Sequence, residues 1–293
     1  MERKSSLPCR TALDPADYRE LIEHFLKEDL GVGDLTTEAT VHEGQRALGR
    51  IVAKAPLVLA GCDVAVEVFR LLDSGVSVEA KCRDGDRLRP GDEPAIVAGR
   101  ARALLSGERL ALNILQRLAG IATLTRQFVD AVAGTAAKIL DTRKTTPGLR
   151  SLEKYAVTVG GGYNHRRDLG DAILIKENHI RMAGGVKQAL EAVKAQQSRA
   201  RFVEIEVTTI EELDQALSRA PDVILLDNMT PGEVREAVQI VGHRKIILEA
   251  SGGITLLNAR AYAEAGADWI SVGALTHSAP AADLSLEIEP LNR

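Results

Sequence analysis

The chain has little cysteine: Cys9, Cys62 and Cys82 are the only three among 293 residues. Their number is odd and none forms a CxxC pair, so the sequence predicts neither a disulfide scaffold nor a zinc site built on cysteine. Unpaired cysteines are typical of a reducing compartment, and we expect a cytoplasmic protein. The N-terminus begins with charged residues and develops no apolar core, which predicts that there is no signal peptide.

Aromatic residues and long apolar runs are scarce as well. At 3% of the chain, aromatic residues are too few to suggest stacking platforms for single-stranded nucleic acid. A net charge of −4 also disfavours a protein that follows a phosphate backbone. The apolar run at 55–60 is far too short to span a bilayer. We therefore expect no nucleic-acid partner and no membrane partner.

The overall composition is that of a globular protein, with 45% hydrophobic and 27% charged residues. Basic residues are concentrated in one segment: residues 143–181 contain eight Lys or Arg against four Asp or Glu. A local positive excess within an acidic protein favours a pocket for a small anion. The sequence has neither GxGxxG nor GxxxxGK[ST], so it predicts neither a Rossmann dinucleotide site nor a P-loop.

The first part of the chain, residues 1–113, has the pattern of a mixed α/β region. Apolar spacing and turn residues predict, in order, a helix at Tyr18–Asp29, strands at Leu48–Ala53 and Pro56–Ala60, and a helix at Val64–Leu72 with Asp63 as its N-cap. A long helix from about Ala103 to Asp130 follows, with a predicted break at Ala119-Gly120.

Short apolar runs alternate with amphipathic helices after Gly134, which is typical of parallel βα units. The predicted strands are Lys138–Asp141, Ala172–Ile175, Phe202–Val207, Val223–Leu226, Lys245–Glu249 and Trp269–Val272. The predicted helices between the later strands are Ile210–Ser218, Pro231–Val241 and Leu256–Ala265. Fewer than eight strands fit either an incomplete barrel or an open doubly wound sheet. Since charged residues follow nearly every strand, we favour a barrel domain over 114–279, with 280–293 packing back on the N-terminal region.

Two basic loops are the first candidates for a binding site. Arg143 and Lys144 follow a strand and precede hydroxyl residues and a Pro-Gly turn, a pattern that suits capture of a carboxylate or a phosphate. A solvated basic loop is the alternative. His165 and Arg166 follow three glycines that let the backbone approach a ligand closely, and we expect the positive charge of Arg166 to favour the neutral form of His165.

The strand ends that follow carry a lysine and several acids. Lys176 ends a buried apolar strand, where a cation is costly without an anionic partner or ligand. Glu204 and Glu206 alternate with Val203, Ile205 and Val207 and so face one side of their strand, and Asp227 ends the next strand. These acids are candidates to hold Mg²⁺ or ribose hydroxyls, or alternatively to pair with the lysines.

Glycine-rich loops follow the last two strands, at Ser251-Gly252-Gly253 and at Gly273. Such loops after the late strands of a barrel commonly hold phosphate through backbone N–H groups. Taken together, the candidate residues predict a site for a phosphorylated sugar and a second molecule that bears carboxylates.

Several motifs in order resemble those of the quinolinate phosphoribosyltransferase family. They are Thr142–Arg150 (TRKTTPGLR), Gly160–Arg166 (GGGYNHR), Leu174–His179 (LIKENH), Glu28–Thr37 (EDLGVGDLTT), Glu108–Asn113 (ERLALN), Leu225–Asn228 (LLDN) and Glu249–Gly253 (EASGG). The resemblance runs through nearly the whole chain. It implies an N-terminal α/β sandwich domain and an incomplete, open α/β barrel in a homodimer with shared active sites, and assembly of the dimer into a higher oligomer stays open.

The resemblance also implies an activity and a set of roles. Members of the family convert quinolinate and 5-phosphoribosyl-1-pyrophosphate (PRPP), with Mg²⁺, into nicotinate mononucleotide, pyrophosphate and CO₂ in de novo NAD synthesis. By implication the quinolinate carboxylates would be bound by Arg143, Lys144, His165 and Arg166, with Arg109 supplied by the neighbouring subunit. The ribosyl and pyrophosphate groups would lie near Lys176, Glu206 and Asp227, and phosphate near Ser251, Gly252, Gly253 and Gly273. Catalysis would depend on Lys144, Lys176, Glu206 and Asp227.

Arg167 and Asp168 depart from the pattern expected of the family, and we expect them to pair with each other at the surface. Two other interpretations stay open. One is a pyrophosphorylase-like protein associated with molybdenum transport, and the other is a non-catalytic protein that senses a metabolite or assists assembly. The presence of Arg109, Arg143, Lys144, His165 and Arg166 favours quinolinate over the first, and both acids and both glycine loops argue against the second.

Overall fold

The computed structural model of the protein describes residues 13–291, except for the side chains of residues 195–197. Cys9 and the predicted absence of a signal peptide lie outside the described residues. The helices are α1 (Arg19–Leu30), α2 (Leu35–Thr40), α3 (Cys62–Leu72), α4 (Ala101–Ala131), α5 (Arg150–Val159), α6 (Glu177–Ala183), α7 (Val186–Val193), α8 (Ile210–Leu217), α9 (Pro231–Val241), α10 (Ala259–Ala265) and α11 (Ala274–His277). The strands are β1 (Arg46–Ala53), β2 (Leu57–Val58), β3 (Ser77–Ala80), β4 (Arg87–Leu88), β5 (Ala95–Arg100), β6 (Lys138–Leu140), β7 (Ile173–Ile175), β8 (Val203–Val207), β9 (Val223–Asp227), β10 (Ile247–Ser251), β11 (Trp269–Ser271) and β12 (Leu284–Pro290).

The chain forms two compact units. Among the described residues, the barrel unit contains Gln127–Lys144 and Gly162–Ala274, and the sandwich unit contains residues 13–126, 145–161 and 275–291. Segment Thr145–Gly161, which the sequence assigned to the barrel, thus groups with the sandwich unit. Two contacts explain this: the hydroxyl of Tyr155 donates to Asp84 at 2.8 Å, and Arg117 pairs with the buried Glu153 at 2.8 Å.

The barrel unit is built on a six-stranded parallel sheet in the order β6-β11-β10-β9-β8-β7. Strands β7 to β11 are neighbours in sequence order, and the first strand, β6, pairs with the last, β11. The order never reverses, whereas a doubly wound sheet has a reversal at its switch point. The prediction of an incomplete α/β barrel is therefore confirmed, with the opening between β6 and β7.

Strand β8 illustrates why these sequences form buried strands. Val203, Ile205 and Val207 are buried on one side, and Phe202 and Glu204 are buried on the other. A parallel strand covered on both faces has this nearly continuous burial. Phe202 belongs to a cluster of buried side chains that closes the base of the sheet, together with Leu140, Ala172, Val223 and Trp269.

The sandwich unit contains a four-stranded antiparallel sheet in the order β12-β1-β5-β3. Strand β12 pairs with β1 over seven residues, from Ala47 opposite Pro290 to Ala53 opposite Leu284. The C-terminal segment is thus part of the same sheet as β1 and β5. Helix α3 supplies an apolar face that includes Val64, Val68 and Phe69, all buried.

Helix α4 is continuous over its 31 residues, so the predicted break at Ala119-Gly120 is wrong. Gly120 has a packing role instead, because a Cβ atom there would lie 2.0 Å from the carbonyl oxygen of Pro280. The predicted domain boundary at 113/114 falls inside this helix, and the chain passes between the two units at Arg126–Gln127. Within residues 13–291, no helix combines the length and the apolar character needed to cross a membrane.

Two predicted helix starts are also corrected. Asp63 lies within α3, whose N-cap is Gly61. The capping carboxylate comes from Asp84, which accepts the backbone N–H groups of Gly61 and Cys62 at 2.6 and 3.2 Å. Helix α10 begins at Ala259 rather than Leu256, because the side chain of Asn258 accepts the N–H of Thr255 and holds residues 255–257 in a turn.

Candidate active site

The predicted site residues of the barrel unit lie at the carboxyl ends of its strands. Residues 141–144 follow β6, Lys176 follows β7, Glu206 and Asp227 lie at the ends of β8 and β9, and Ser251 ends β10. The register places Ser251 opposite Asp227. Since parallel strands end at one edge of the sheet, these side chains share one end of the barrel.

Two arginines form a cationic pair at this end. Arg166 is 7% exposed, and its Nη1 donates to the carbonyl oxygen of Ala172 at 3.2 Å. Burial and the nearby charge of Arg143 lower the pKa of Arg166. Arg143 is half-buried, and its buried Nε has no hydrogen-bond acceptor among the described residues. Two neighbouring cations, one of which has a buried Nε–H group without an acceptor, favour the binding of an anion.

The backbone before Arg166 is fixed by Asp141, which is fully buried. Its carboxylate accepts Nδ2 of Asn164 at 2.6 Å and the backbone N–H of His165 at 2.9 Å. Hydrogen bonds to a buried carboxylate are among the stronger polar contacts in a protein. Asp141 therefore ties the end of β6 to the glycine-rich segment that carries Arg166.

His165 lies inside the barrel against two glutamates. Its Nε2 is 3.0 Å from Oε2 of Glu204 and 3.3 Å from Oε2 of Glu249, and both glutamates are at most 1% exposed. The other ring nitrogen, Nδ1, accepts the backbone N–H of Arg166 at 2.8 Å. Both nitrogens thus contact protein groups, and the ring also meets Phe202 edge-on at 5.6 Å.

The glutamates decide the protonation of this cluster. Burial by itself lowers the pKa of His165, but the charges of Glu249 and Glu204 outweigh it and raise that pKa to about 10. Burial and the charge of Glu249 raise the pKa of Glu204, against the opposing effects of His165 and Arg166. The sequence led us to expect that the charge of Arg166 would lower the pKa of His165, and that expectation is wrong because the two glutamates raise it. Because Nδ1 accepts the N–H of Arg166, the ring hydrogen lies on Nε2, and a further proton held by the cluster lies on one of the two carboxylates.

The same three residues have donor atoms within 4.8 Å of one another, a spacing that a metal ion can bridge. A metal on Nε2 requires a lone pair at that atom. The hydrogen bond from Arg166 to Nδ1 puts the ring hydrogen on Nε2 instead. The geometry therefore favours a proton-sharing cluster.

Lys176 and Glu206 form an ion pair at adjacent strand ends, with Nζ 2.7 Å from Oε2. The lysine side chain is 49% exposed and the glutamate 12%. Pairing of a strand-end acid with Lys176, one of the two alternatives for these acids, is confirmed. The backbone N–H of Lys176 donates to Nδ1 of His179 at 3.0 Å, so the side chain of His179 caps the start of α6.

Asp227 lies beside this ion pair. Burial and the charge of Glu206 raise the pKa of Asp227, while Lys176 and Lys144 act in the opposite direction. Lys144 is exposed. The amide Nδ2 of Asn228 donates to Oδ2 of Asp227 at 2.8 Å. Two acids and two lysines thus lie close enough for their charges to interact at one end of the barrel.

The predicted phosphate loops follow β10 and β11. Gly252 and Gly253 have φ angles of +92° and +60°, in the left-handed region, and Gly253 is exposed. Gly273 is half-buried beyond β11. Arg109 lies elsewhere, exposed on α4 in the sandwich unit. Arg167 and Asp168 are both exposed.

Sequence reasoning did not identify three parts of this site: the partnership of Glu249 with His165, the role of Asn164, and the contact of Asn228 with Asp227. The alternation along β8 did place Glu204 and Glu206 on one side of the strand. It gave no indication that Glu204 meets a histidine from another segment.

An open α/β barrel with cations, acids and glycine loops at its strand ends is typical of enzymes that bind phosphorylated, anionic substrates. Residues 34–119 and 121–287 match the families described as quinolinate phosphoribosyl transferase, N-terminal domain and C-terminal domain. The chain belongs to the quinolinate phosphoribosyltransferase family.

Individual relatives agree with this assignment. Over 277 residues, the chain is 47% identical to the nicotinate-nucleotide pyrophosphorylase [carboxylating] of Mycobacterium leprae (strain TN), covering 92% of this chain and 96% of that protein. It is 44% identical over 270 residues to the "Probable nicotinate-nucleotide pyrophosphorylase [carboxylating]" of Bacillus subtilis (strain 168), covering 92% and 93%. The crystal structure of NadC from Streptococcus pyogenes superposes with a TM-score of 0.92 at 38% identity, covering 96% of this chain and all of that one.

Proposed function

We propose that this protein transfers the phosphoribosyl group of PRPP to the ring nitrogen of quinolinate and releases pyrophosphate and CO₂, which gives nicotinate mononucleotide for NAD synthesis. The observation that carries the proposal is the cationic pair of the half-buried Arg143 and the buried Arg166, in which the buried Nε of Arg143 lacks an acceptor among the described residues. A dicarboxylate supplies the missing charge and acceptors. Family membership supports this choice of dicarboxylate.

Quinolinate binds to the two arginines through its carboxylates. The planar guanidinium forks suit bidentate contacts with a carboxylate, and Lys144 adds a point charge. The ring nitrogens of His165 contact Arg166, Glu204 and Glu249. The direct contact between His165 and quinolinate that the resemblance implies stays a prediction.

PRPP binds at the adjacent strand ends, with Lys176 and Lys144 toward its pyrophosphate and the glycine loops toward its phosphate. Glu206 and Asp227 fit Mg²⁺, because hard carboxylate oxygens are its preferred ligands and the repulsion that raises the pKa of Asp227 is relieved by a divalent cation. When bound, Mg²⁺ neutralises charge on the leaving pyrophosphate. The protein's acids also stabilise positive charge that develops on the ribose.

The chemistry needs no covalent enzyme intermediate. The bond from C1 of the ribose to pyrophosphate breaks with its electron pair on the leaving group, and the pyridine nitrogen forms the new bond to C1. The ring nitrogen is then cationic and accepts electron density when the adjacent carboxylate leaves as CO₂. A proton replaces the carboxylate at that carbon. The protein contributes positioning and electrostatic stabilisation.

The protein also acts as a homodimer in this proposal, with Arg109 reaching the quinolinate of the neighbouring subunit. Dimers of Arg109→Ala mixed with dimers of Lys144→Ala should recover partial activity, because one site of each heterodimer has both residues intact. No recovery after confirmed subunit exchange would contradict the shared site. A cytoplasmic location stays a prediction from the unpaired cysteines.

A substrate comparison tests the proposal. Purified protein with PRPP and Mg²⁺ should form nicotinate mononucleotide from quinolinate and not from nicotinate. Turnover of nicotinate alone would overturn the substrate assignment. Turnover of neither would favour the molybdenum-associated or non-catalytic interpretation.

A further inference from the structure

Asn228, directly after Asp227, has an unusual backbone conformation. Its φ is +57°, in the left-handed region, and the only other non-glycine residue with positive φ among the described residues is Ala220. Asparagine tolerates this region better than most residues, yet the conformation persists only where surrounding contacts hold it. One such contact is the hydrogen bond from the backbone N–H of Asn228 to the carbonyl oxygen of Ser251 at 2.8 Å.

The side chain of Asn228 has a contact at each end of its amide. Nδ2 donates to Oδ2 of Asp227 at 2.8 Å. A carboxylate offers only acceptors, so it fixes which end of the amide faces it. The other end, Oδ1, faces Gly252, where an added Cβ atom would lie 2.2 Å away. The space that a side chain at 252 would need is thus filled by the amide that holds Asp227.

These contacts join two neighbouring strand ends. The amide and the backbone N–H of Asn228 connect the end of β9 to the loop after β10, and Gly252 gives room for that connection. The arrangement orients one carboxylate among the grouped charges of Glu206, Lys176 and Lys144. If Asn228 only formed the turn between the strand and the next segment, its side-chain amide would not need to contact Asp227.

We propose that Asn228 is a positioning residue that holds the carboxylate of Asp227 toward PRPP, and that residue 252 is glycine because the amide of Asn228 occupies its side-chain space. The inference rests on the proposed function for the identity of the substrate, but its structural part does not. Asn228 touches no reacting atom in this account. It acts through Asp227.

Asn228→Gly is a clean test, since glycine adopts positive φ without strain and only the amide is lost. We expect the KM for PRPP to rise or kcat to fall by roughly tenfold, because small errors in position cost up to about 100-fold in rate. The KM for quinolinate should change by less than about twofold, because the arginine pair is untouched. Ala220→Gly, at the other left-handed position, is the matched control and should leave both substrates' kinetics unchanged.

A double-mutant cycle tests the shared space without any assay of activity. Gly252→Ala should lower the unfolding midpoint through the clash with the amide and the positive φ. Asn228→Gly/Gly252→Ala should regain part of that loss, because the amide is gone.

Two results would overturn the inference: PRPP kinetics unchanged in Asn228→Gly, or strictly additive midpoint losses in the double variant. Wild-type protein that fails to use quinolinate would contradict the proposed function instead, and the stability cycle would still report on Asn228 and Gly252.

Discussion

Lys176 and Glu206 bridge the ends of two adjacent strands, with Nζ of the lysine 2.7 Å from Oε2 of the glutamate. Exposed ion pairs contribute about 0–1 kcal/mol to stability, so a contribution to the stability of the fold does not account for the presence of this pair. The pair places a cation and an acid beside Asp227. An anionic ligand that binds the lysine and a divalent cation that binds the acid can separate the two side chains.

Replacing the lysine therefore separates function from stability. We expect Lys176→Met to reduce kcat/KM for PRPP by about 100-fold, the order of effect of removing one electrostatic contact to a transition state. The unfolding midpoint should change little. Lys194→Met removes a comparable exposed pair with Glu191 on α7 and should leave kinetics unaltered. Equal effects of the two variants would contradict a role for Lys176 at the site.

Arg143 allows a test of the carboxylate-binding pair. Arg143→Lys keeps the charge but loses the planar fork, so the KM for quinolinate should rise by about tenfold or more, with the KM for PRPP nearly unchanged. Arg235→Lys, exposed on α9, is the control. Steady-state kinetics with each substrate varied in turn would measure both constants. A larger rise in the KM for PRPP than in the KM for quinolinate would contradict the assignment of Arg143 to the quinolinate-binding part of the site.

Asp141 tests how the segment carrying Arg166 is held. Asp141→Ala should lower the free energy of unfolding by about 2–3 kcal/mol, because the buried amide of Asn164 and the N–H of His165 lose their acceptor. Urea unfolding would measure the loss. The exchange Asp141→Asn/Asn164→Asp restores an amide–carboxylate pair and should recover more stability than Asp141→Asn alone. No difference between these two variants would argue against the pair.

Acid sensitivity should depend partly on Asp73 in the sandwich unit. Hydrogen bonds from the backbone N–H groups of Arg100 and Gly75, at 3.0 Å each, and the Arg100 guanidinium lower the pKa of Asp73, against the opposing effect of burial. A carboxylate with a lowered pKa in the fold contributes stability above its unfolded pKa, and this contribution is lost as the pH falls below about 4. Asp73→Asn should be less stable at neutral pH, and its free energy of unfolding should decrease less in acid. Asp214→Asn, exposed on α8, should follow the wild-type pH profile.

The parts of this fold that sequence predicts are those set by local pattern. Apolar runs followed by charged residues located the barrel strands, because most residues of these strands are buried and the strands end at the site. The continuity of α4 was missed because Gly120 disfavours a helix locally, while its true role is to admit the carbonyl oxygen of Pro280. The capping of α3 by Asp84 was missed for a related reason, since the acid comes from 22 residues away in the chain.

Within the site, residue types, strand-end positions and the pairing of an acid with Lys176 were predictable, and the partners of His165 and Asn228 were not. Alternation put Glu204 on the same side as Glu206, but only the fold brings it to His165 together with Glu249. This cluster reversed the expected influence on the imidazole. The contact of Asn228 with Gly252 depends on a left-handed backbone that no spacing in the sequence indicates.

The most direct test of the account follows the carboxylate that leaves. Quinolinate labelled with ¹⁴C in the carboxylate adjacent to the ring nitrogen would be incubated with the protein, PRPP and Mg²⁺, and labelled CO₂ and pyrophosphate would be counted together. The account predicts equal amounts of labelled CO₂, pyrophosphate and unlabelled nicotinate mononucleotide, with no CO₂ when PRPP is omitted. Label retained in the nucleotide product, or pyrophosphate released without CO₂, would contradict it.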